Sequence, residues 1–145
     1  MTSRRLSSEM FHASTVARDG RAVLITGPSG SGKSDLSLRL FEHGFRLVSD
    51  DQTIVSRDGE RLLASAPTNI AGKIEVRGIG IVDMDAVADV PVALVVELDA
   101  DIRRLPDSRE LNILGIGVPV VSIDAKTASA ASKVALALDR LGLKF

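Results

Sequence analysis

At 145 residues with a formal net charge of −1, the chain has the length of one domain and no electrostatic footprint for DNA or an acidic membrane. Hydrophobic residues make up 45%, enough for a proper core, but Trp and Tyr are absent and Phe occurs four times, which excludes aromatic platforms for single-stranded nucleic acid. The lack of cysteine excludes disulfides and thiolate metal sites.

No stretch approaches the roughly 18 apolar residues that span a bilayer, and the polar start lacks the apolar core of a signal peptide, so a cytoplasmic chain is expected. Residues 1–9 read as a loose leader. Residues 10–17 alternate as a strand, and Asp19-Gly20 is a hairpin signal into a second strand over 21–26. That apolar run feeds Gly27-Pro28-Ser29-Gly30-Ser31-Gly32-Lys33-Ser34, which fits G-x-x-x-x-G-K-[ST] at every fixed position.

A helix is expected over 33–43, with Leu36, Leu40 and Phe41 on one face and Gly44 just past its end. Residues 45–49 are short, apolar and strand-like, and they deliver Asp50-Asp51. Strands over 53–57 and 61–65 flank the turn pair Asp58-Gly59, and 67–72 reads as loop. Residues 73–77 alternate, and 78–82 continue them as a glycine-broken strand or bulge. The near-continuous apolar run 91–98 predicts a strand buried on both faces. Residues 99–112, with Arg103, Arg104 and Arg109, predict a charged surface segment, helical in part. A strand around two glycines and Pro119 follows over 113–123, then a helix over 128–141 ended by Gly142. The expected fold is α/β, a phosphate-loop sheet with helices and extra antiparallel strands, in a single domain over 1–145.

A strand, a glycine-rich turn and a helix N-terminus in that order make a phosphate cradle, because successive N–H groups and the helix dipole both face the anion. Lys33 would reach the β- and γ-phosphates and Ser34 would take one Mg²⁺ position. Asp50 and Asp51 stand where ligands gather in α/β sheets, one suited to Mg²⁺ or its water and the other to a hydroxyl proton. Consecutive strand residues face opposite ways, so the strand must break there if both are to share a site; a simple turn capping the strand also fits. Glu75 and Arg77 have one parity, which suits either a metal and phosphate pair or an exposed ion pair. His12 sits on a strand expected beside the cradle, and the 103–109 arginines suit either a solvated face or a clamp on transferred phosphate. His43, at a helix end, complements the dipole.

In order, His12, the phosphate loop, Gly44-Phe45-Arg46-Leu47-Val48-Ser49-Asp50-Asp51 and Glu75-Val76-Arg77-Gly78-Ile79-Gly80-Ile81 resemble the catalytic domain of HPr kinase/phosphorylase over about residues 10 to 120. The second and third segments carry more of this resemblance than the phosphate loop, which unrelated nucleotide-binding proteins share. The resemblance implies a phosphoenolpyruvate-carboxykinase-like nucleotide-binding core and ATP-dependent phosphorylation of a seryl hydroxyl on HPr, the phosphocarrier of the sugar phosphotransferase system. It implies ATP and Mg²⁺ as cofactors, and a homo-oligomer, often a hexamer. By position it makes His12 and Lys33 active-site residues and Asp51 the acid/base with Asp50 beside it. It makes Ser34 and Glu75 the Mg²⁺ ligands, the segment from Arg77 to Gly80 a catalytic segment, and Arg104 the later active-site arginine.

Two departures shape the expectation. Only about eleven residues precede His12, which suggests a short form without the family's N-terminal domain. The family's Pro-Val-Arg-Pro-Gly-Arg segment, tied to phosphorolysis, is replaced by Pro119-Val120-Val121-Ser122-Ile123-Asp124, with Lys126 nearby, so phosphorolysis is expected to be weak or absent. Two rival readings are a phosphate-loop kinase of a small metabolite, with 103–109 as a lid, and a nucleotide-sensing module without turnover.

Overall fold

The computed structural model describes residues 7–99 and 109–145. The chain begins in β1 (Ser8–Phe11), β2 (Ala13–Arg18) and β3 (Arg21–Thr26). The alternating stretch read as one strand over 10–17 is therefore two, broken at His12. β1 already includes Ser8 and Glu9 and leaves to pair elsewhere, while β2 pairs antiparallel with β3. Asp19 and Gly20 turn that hairpin with φ of 54° and 73°, the left-handed pair that a two-residue turn needs to match strand twist.

The loop after β3 enters α1 (Lys33–Leu40), which tightens into a 3₁₀ turn over Phe41–His43 before Gly44 stops it at φ 82°. β4 (Arg46–Ser49) follows, then the hairpin of β5 (Thr53–Asp58) and β6 (Arg61–Ser65). Asp58 pairs with Arg61, so the turn centres on Gly59-Glu60, one residue later than the Asp-Gly signal suggested.

The stretch 73–82 departs further from expectation. It is a hairpin of β7 (Lys73–Val76) and β8 (Gly80–Asp83), reversed through Arg77-Gly78-Ile79, and Gly78 supplies φ 86° where the chain turns back. Beyond β9 (Val90–Leu98), Arg109 to Asn112 lie in β10 (Arg109–Ile113) and are not helical. β10 reverses through Leu114-Gly115 into β11 (Ile116–Ile123), and α2 (Ala130–Leu141) closes the described chain.

Strand direction decides where the site lies. Antiparallel β2 stands between β3 and β4, and β9 runs parallel to β3 and to β11. β4, β3, β9 and β11 therefore end on one edge, and β2 begins on that same edge. The phosphate loop after β3, the Asp50-Asp51 pair after β4 and the His12 break before β2 are thus brought together by topology.

One core joins α1 and α2 to the sheet through Leu36, Leu40, Val134 and Leu138 against Val23, Ile25, Leu94 and Val96. The second lies on the opposite face, where Val55, Leu62 and Ala64 of the β5–β6 arm pack with Leu24, Val48 and Val92. As expected from its sequence, β9 contributes to both: Leu94 and Val96 face the helices, and Val92 and Val95 face the arm. Arg21 Nη1 donates to the Leu138 carbonyl (3.1 Å), holding the end of α2 to the sheet. Among the described residues no helix is long and apolar enough to cross a membrane.

Candidate active site

The loop from Gly27 to Gly32 is shaped by its glycines. Ser31 N–H donates to the Pro28 carbonyl (3.0 Å), Gly30 adopts φ 81°, and Gly32 caps α1 at φ 100°. Gly27 admits no side chain: a Cβ would lie 2.6 Å from Ser31 Oγ and 3.2 Å from Leu98 Cβ. The loop connecting β11 to α2 braces the cradle from behind. Arg39 of α1 donates to the carbonyls of Ala125 (2.6 Å) and Thr127 (3.3 Å), and Ala125 packs beside Gly32.

Lys33, 6% exposed, folds back over this loop, its Nζ donating to the carbonyls of Gly27 (2.9 Å) and Pro28 (3.1 Å). One position on, Ser34 Oγ donates to Asp50 Oδ1 at 2.6 Å. Asp50 is 8% exposed and both of its carboxylate oxygens are engaged by the protein. Oδ1 also accepts from Ser14 Oγ (3.1 Å), and Oδ2 accepts the backbone N–H of Glu75 (3.0 Å). Asp50 therefore ties the phosphate-loop helix, β2 and β7 to one point.

The strand breaks at Asp51, as a shared site requires. Asp51 adopts φ 65°, and Gln52 N–H donates across it to the Asp50 carbonyl (2.7 Å), a single-residue reversal. A left-handed conformation is uncommon outside glycine but tolerated by Asp. The kink is held on both sides, by Asp51 N–H donating to Ser14 Oγ (3.0 Å) and by Ser49 Oγ donating to the Gln52 carbonyl. The side chain of Asp51 is consequently half-exposed, its Oδ1 3.2 Å from His12 Nε2. His12 reaches it because the break between β1 and β2 frees its ring from the sheet.

A cleft of about 570 Å³ opens over these groups, lined by Lys33, Ser34, Asp50, Asp51, Glu75 and Arg77 among others. Glu75 and Arg77 both reach it, but not as same-face residues of one strand: Glu75 is on β7 and Arg77 is in the turn. Arg104 lies outside the described residues. Arg109 is engaged at the start of β10, donating to Glu97 Oε1 (3.1 Å) and Ser122 Oγ (2.8 Å). Ser14, wholly buried, escaped the sequence reading although it touches both aspartates.

The donor chemistry fits a nucleotide-bound Mg²⁺, which takes one or two protein oxygens and completes its shell with phosphates and waters. Because Ser34 sends its only proton to Asp50, its lone pairs remain available to a cation, and the Glu75 carboxylate lines the same cleft. The chain can thus hold a triphosphate by backbone and Lys33, place a cation beside Ser34, and offer Asp51 to an incoming hydroxyl.

Residues 4–138 match the family model described as HPr Serine kinase C-terminal domain. The chain is 40% identical over 130 residues to an HPr kinase/phosphorylase of Chlorobium limicola, covering 79% of this chain and 39% of that protein. It is 37% identical over 131 residues to one of Limosilactobacillus reuteri, covering 81% and 41%. The chain thus spans about two fifths of the length of these curated relatives. The solved structure of the Hpr(Ser) kinase/phosphatase from Coxiella burnetii superposes with a TM-score of 0.80 at 29% identity, covering 90% of this chain and 94% of that one. With a matching family model over nearly its whole length and a mixed α/β sheet of the same fold, this chain belongs to the HPr serine kinase C-terminal domain family.

Proposed function

We propose that this chain is a cytoplasmic, ATP- and Mg²⁺-dependent kinase domain that phosphorylates a seryl hydroxyl of the phosphocarrier HPr, working as a homo-oligomer. The observation that carries this reading is the geometry around Asp50 and Asp51. One carboxylate is buried and consumed in organising the phosphate loop, and its neighbour is turned into the cleft beside His12. A module that only senses nucleotide has no use for the second group.

In this reading the loop N–H groups and Lys33 bind the triphosphate and fix its direction. Ser34 Oγ and Glu75 would hold Mg²⁺, which would supply neutralisation of the phosphate charge. Asp50 orients the Ser34 hydroxyl. Asp51 accepts the seryl proton and aims the oxygen, and His12 holds the Asp51 carboxylate in place. Arg77 at the cleft wall stabilises charge on the transferring group, with Arg104 assigned the same role by family position.

Phosphorolysis is weak in this reading. The two arginines that the resemblance implies have no counterpart in Pro119–Asp124: Pro119 to Ile123 lie in β11, which carries no cation, with Val121 and Ile123 buried beneath the helices, and Lys126 lies beyond the strand.

Incubation of the chain with ATP, Mg²⁺ and purified HPr, read by mass spectrometry, tests the reading; a parallel panel of hydroxylated metabolites tests the small-molecule rival. A phosphoseryl HPr that persists when inorganic phosphate is added is the expected result. Transfer to a metabolite but not to HPr, or tight ATP binding with no transfer at all, would sink it.

A further inference from the structure

We infer that Ser14 is a positioning residue for the reaction, the link through which the phosphate-loop carboxylate and the proton-accepting carboxylate are held in one geometry; the kinetic part of this inference rests on the kinase reading above. Ser14 lies on β2, between the strand that feeds the phosphate loop and the strand that delivers the aspartates. Its neighbours Ala13 and Thr15 are in register with Thr26 of β3 and Ser49 of β4. It is wholly buried, so its hydroxyl has no water to turn to.

The single hydroxyl proton goes to Asp50 Oδ1 (3.1 Å), and a lone pair receives the Asp51 backbone N–H (3.0 Å). One oxygen therefore reads the positions of both carboxyl-bearing residues. The bond to Asp51 is the more consequential. Asp51 is in a left-handed conformation, and its N–H has no ladder partner at the kink. Without the Ser14 oxygen that donor is stranded, and the reversal that turns Asp51 toward His12 loses an anchor. The adjacent threonines hold β2 in place: Thr53 Oγ1 donates to the Ala13 carbonyl (2.9 Å), so Thr15 supplies the proton in the Thr15–Thr53 contact (2.8 Å). They touch neither aspartate, which leaves Ser14 as the residue coupling the strand to the chemistry.

Three variants separate the hydroxyl from packing. Ser14→Ala removes the oxygen with the least disturbance, and Ser14→Thr and Ser14→Val are matched in shape and differ only in keeping or losing it. Two readouts are taken: phosphoryl transfer to HPr with nucleotide affinity, and the ring NMR signals of His12. His43 is the other histidine of the chain, so the His43→Gln variant completes the assignment. Loss of the hydroxyl is expected to lower kcat about 10- to 100-fold with nucleotide affinity within about 3-fold, as a displaced proton acceptor would. The His12 signals shift in Ser14→Ala and Ser14→Val and stay near wild type in Ser14→Thr. Wild-type kcat and unmoved His12 signals in Ser14→Ala overturn the inference, as does equal impairment of Ser14→Thr and Ser14→Val. If wild-type protein transfers nothing to HPr, the kinase reading falls, and the His12 signals alone decide whether Ser14 positions Asp51. If the two larger variants do not fold, Ser14→Ala decides by the same readouts.

Discussion

Replacing Asp50 by its isosteric amide tests whether this residue organises the site rather than taking the seryl proton. The carboxylate accepts three hydrogen bonds, from Ser14 Oγ (3.1 Å), Ser34 Oγ (2.6 Å) and Glu75 N–H (3.0 Å), and donates none. Asn has one accepting end and one donating end. With its nitrogen toward Glu75, two donors meet; with its nitrogen toward the hydroxyls, Ser34 must rotate its proton into the cleft and lose the orientation that exposes its lone pairs. Either way at least one charge-assisted bond is lost and the others become neutral. At about 1.5–3 kcal/mol for a hydrogen bond to a charged group, the net cost is about 2–4 kcal/mol. For a chain of this length that corresponds to a fall in Tm of roughly 6–12 °C. Magnesium affinity of the nucleotide complex should weaken about 10-fold or more, because Asp50 orients Ser34, the proposed Mg²⁺ ligand. Calorimetric melting and titration of Mg²⁺ into the nucleotide-bound protein measure the two effects. An Asp50→Asn protein that melts within about 1 °C of wild type and keeps its Mg²⁺ affinity would refute the three-bond account.

Asp51→Asn should keep nucleotide affinity and lower transfer to HPr by about 10²- to 10⁴-fold, the usual worth of a general base, as read by equilibrium titration and a phosphorylation assay. Lys33→Ala, which removes a buried cation lying across the loop carbonyls, should weaken nucleotide binding and transfer together, and the same two measurements separate it from Asp51→Asn. Leu138→Ala, at a wholly buried position between α2 and the sheet, should cost about 2–4 kcal/mol in denaturant unfolding while nucleotide affinity is unchanged.

Where sequence and structure agree, a local signal specified a local geometry. Asp19-Gly20 needs two left-handed residues and has them, and Gly44 ends its helix at φ 82°. The unbroken apolar run of β9 does serve two cores. Where they part, periodicity was ambiguous. Residues 10–17 alternate enough to read as one strand, but pairing of β1 with β5, which is separated from it in sequence by β2, β3, α1 and β4, draws the chain out of line at His12, and nothing local to that stretch records it. In 73–82, alternation continues through Gly78 and Gly80, and a hairpin with a three-residue turn preserves much of the pattern that a bulged strand would show. Of the charged segment 99–112, residues 109–112 form the exposed start of β10 at one edge of the sheet, and 100–108 lie outside the described residues.

Most residues lining the cleft were singled out in the sequence but their connections were not, for a physical reason that also explains what distinguishes the cleft. A phosphate loop holds anions with backbone groups that any strand, glycine turn and helix can supply, so it specifies binding and little else. What adds a second set of side chains at that edge is antiparallel β2, inserted between β3 and β4. Had β4 paired directly with β3, its aspartates would still emerge on the phosphate edge, but they would meet only another carboxyl-terminal strand end. The inserted strand instead contributes its beginning, so that His12 and Ser14 arrive at the edge where the aspartates leave. That juxtaposition gives Asp51 both an anchor for its kink and a partner for its carboxylate. Sequence displays each residue, but strand direction is a property of the whole sheet, and a serine becomes informative only once its strand is known to run against its neighbours.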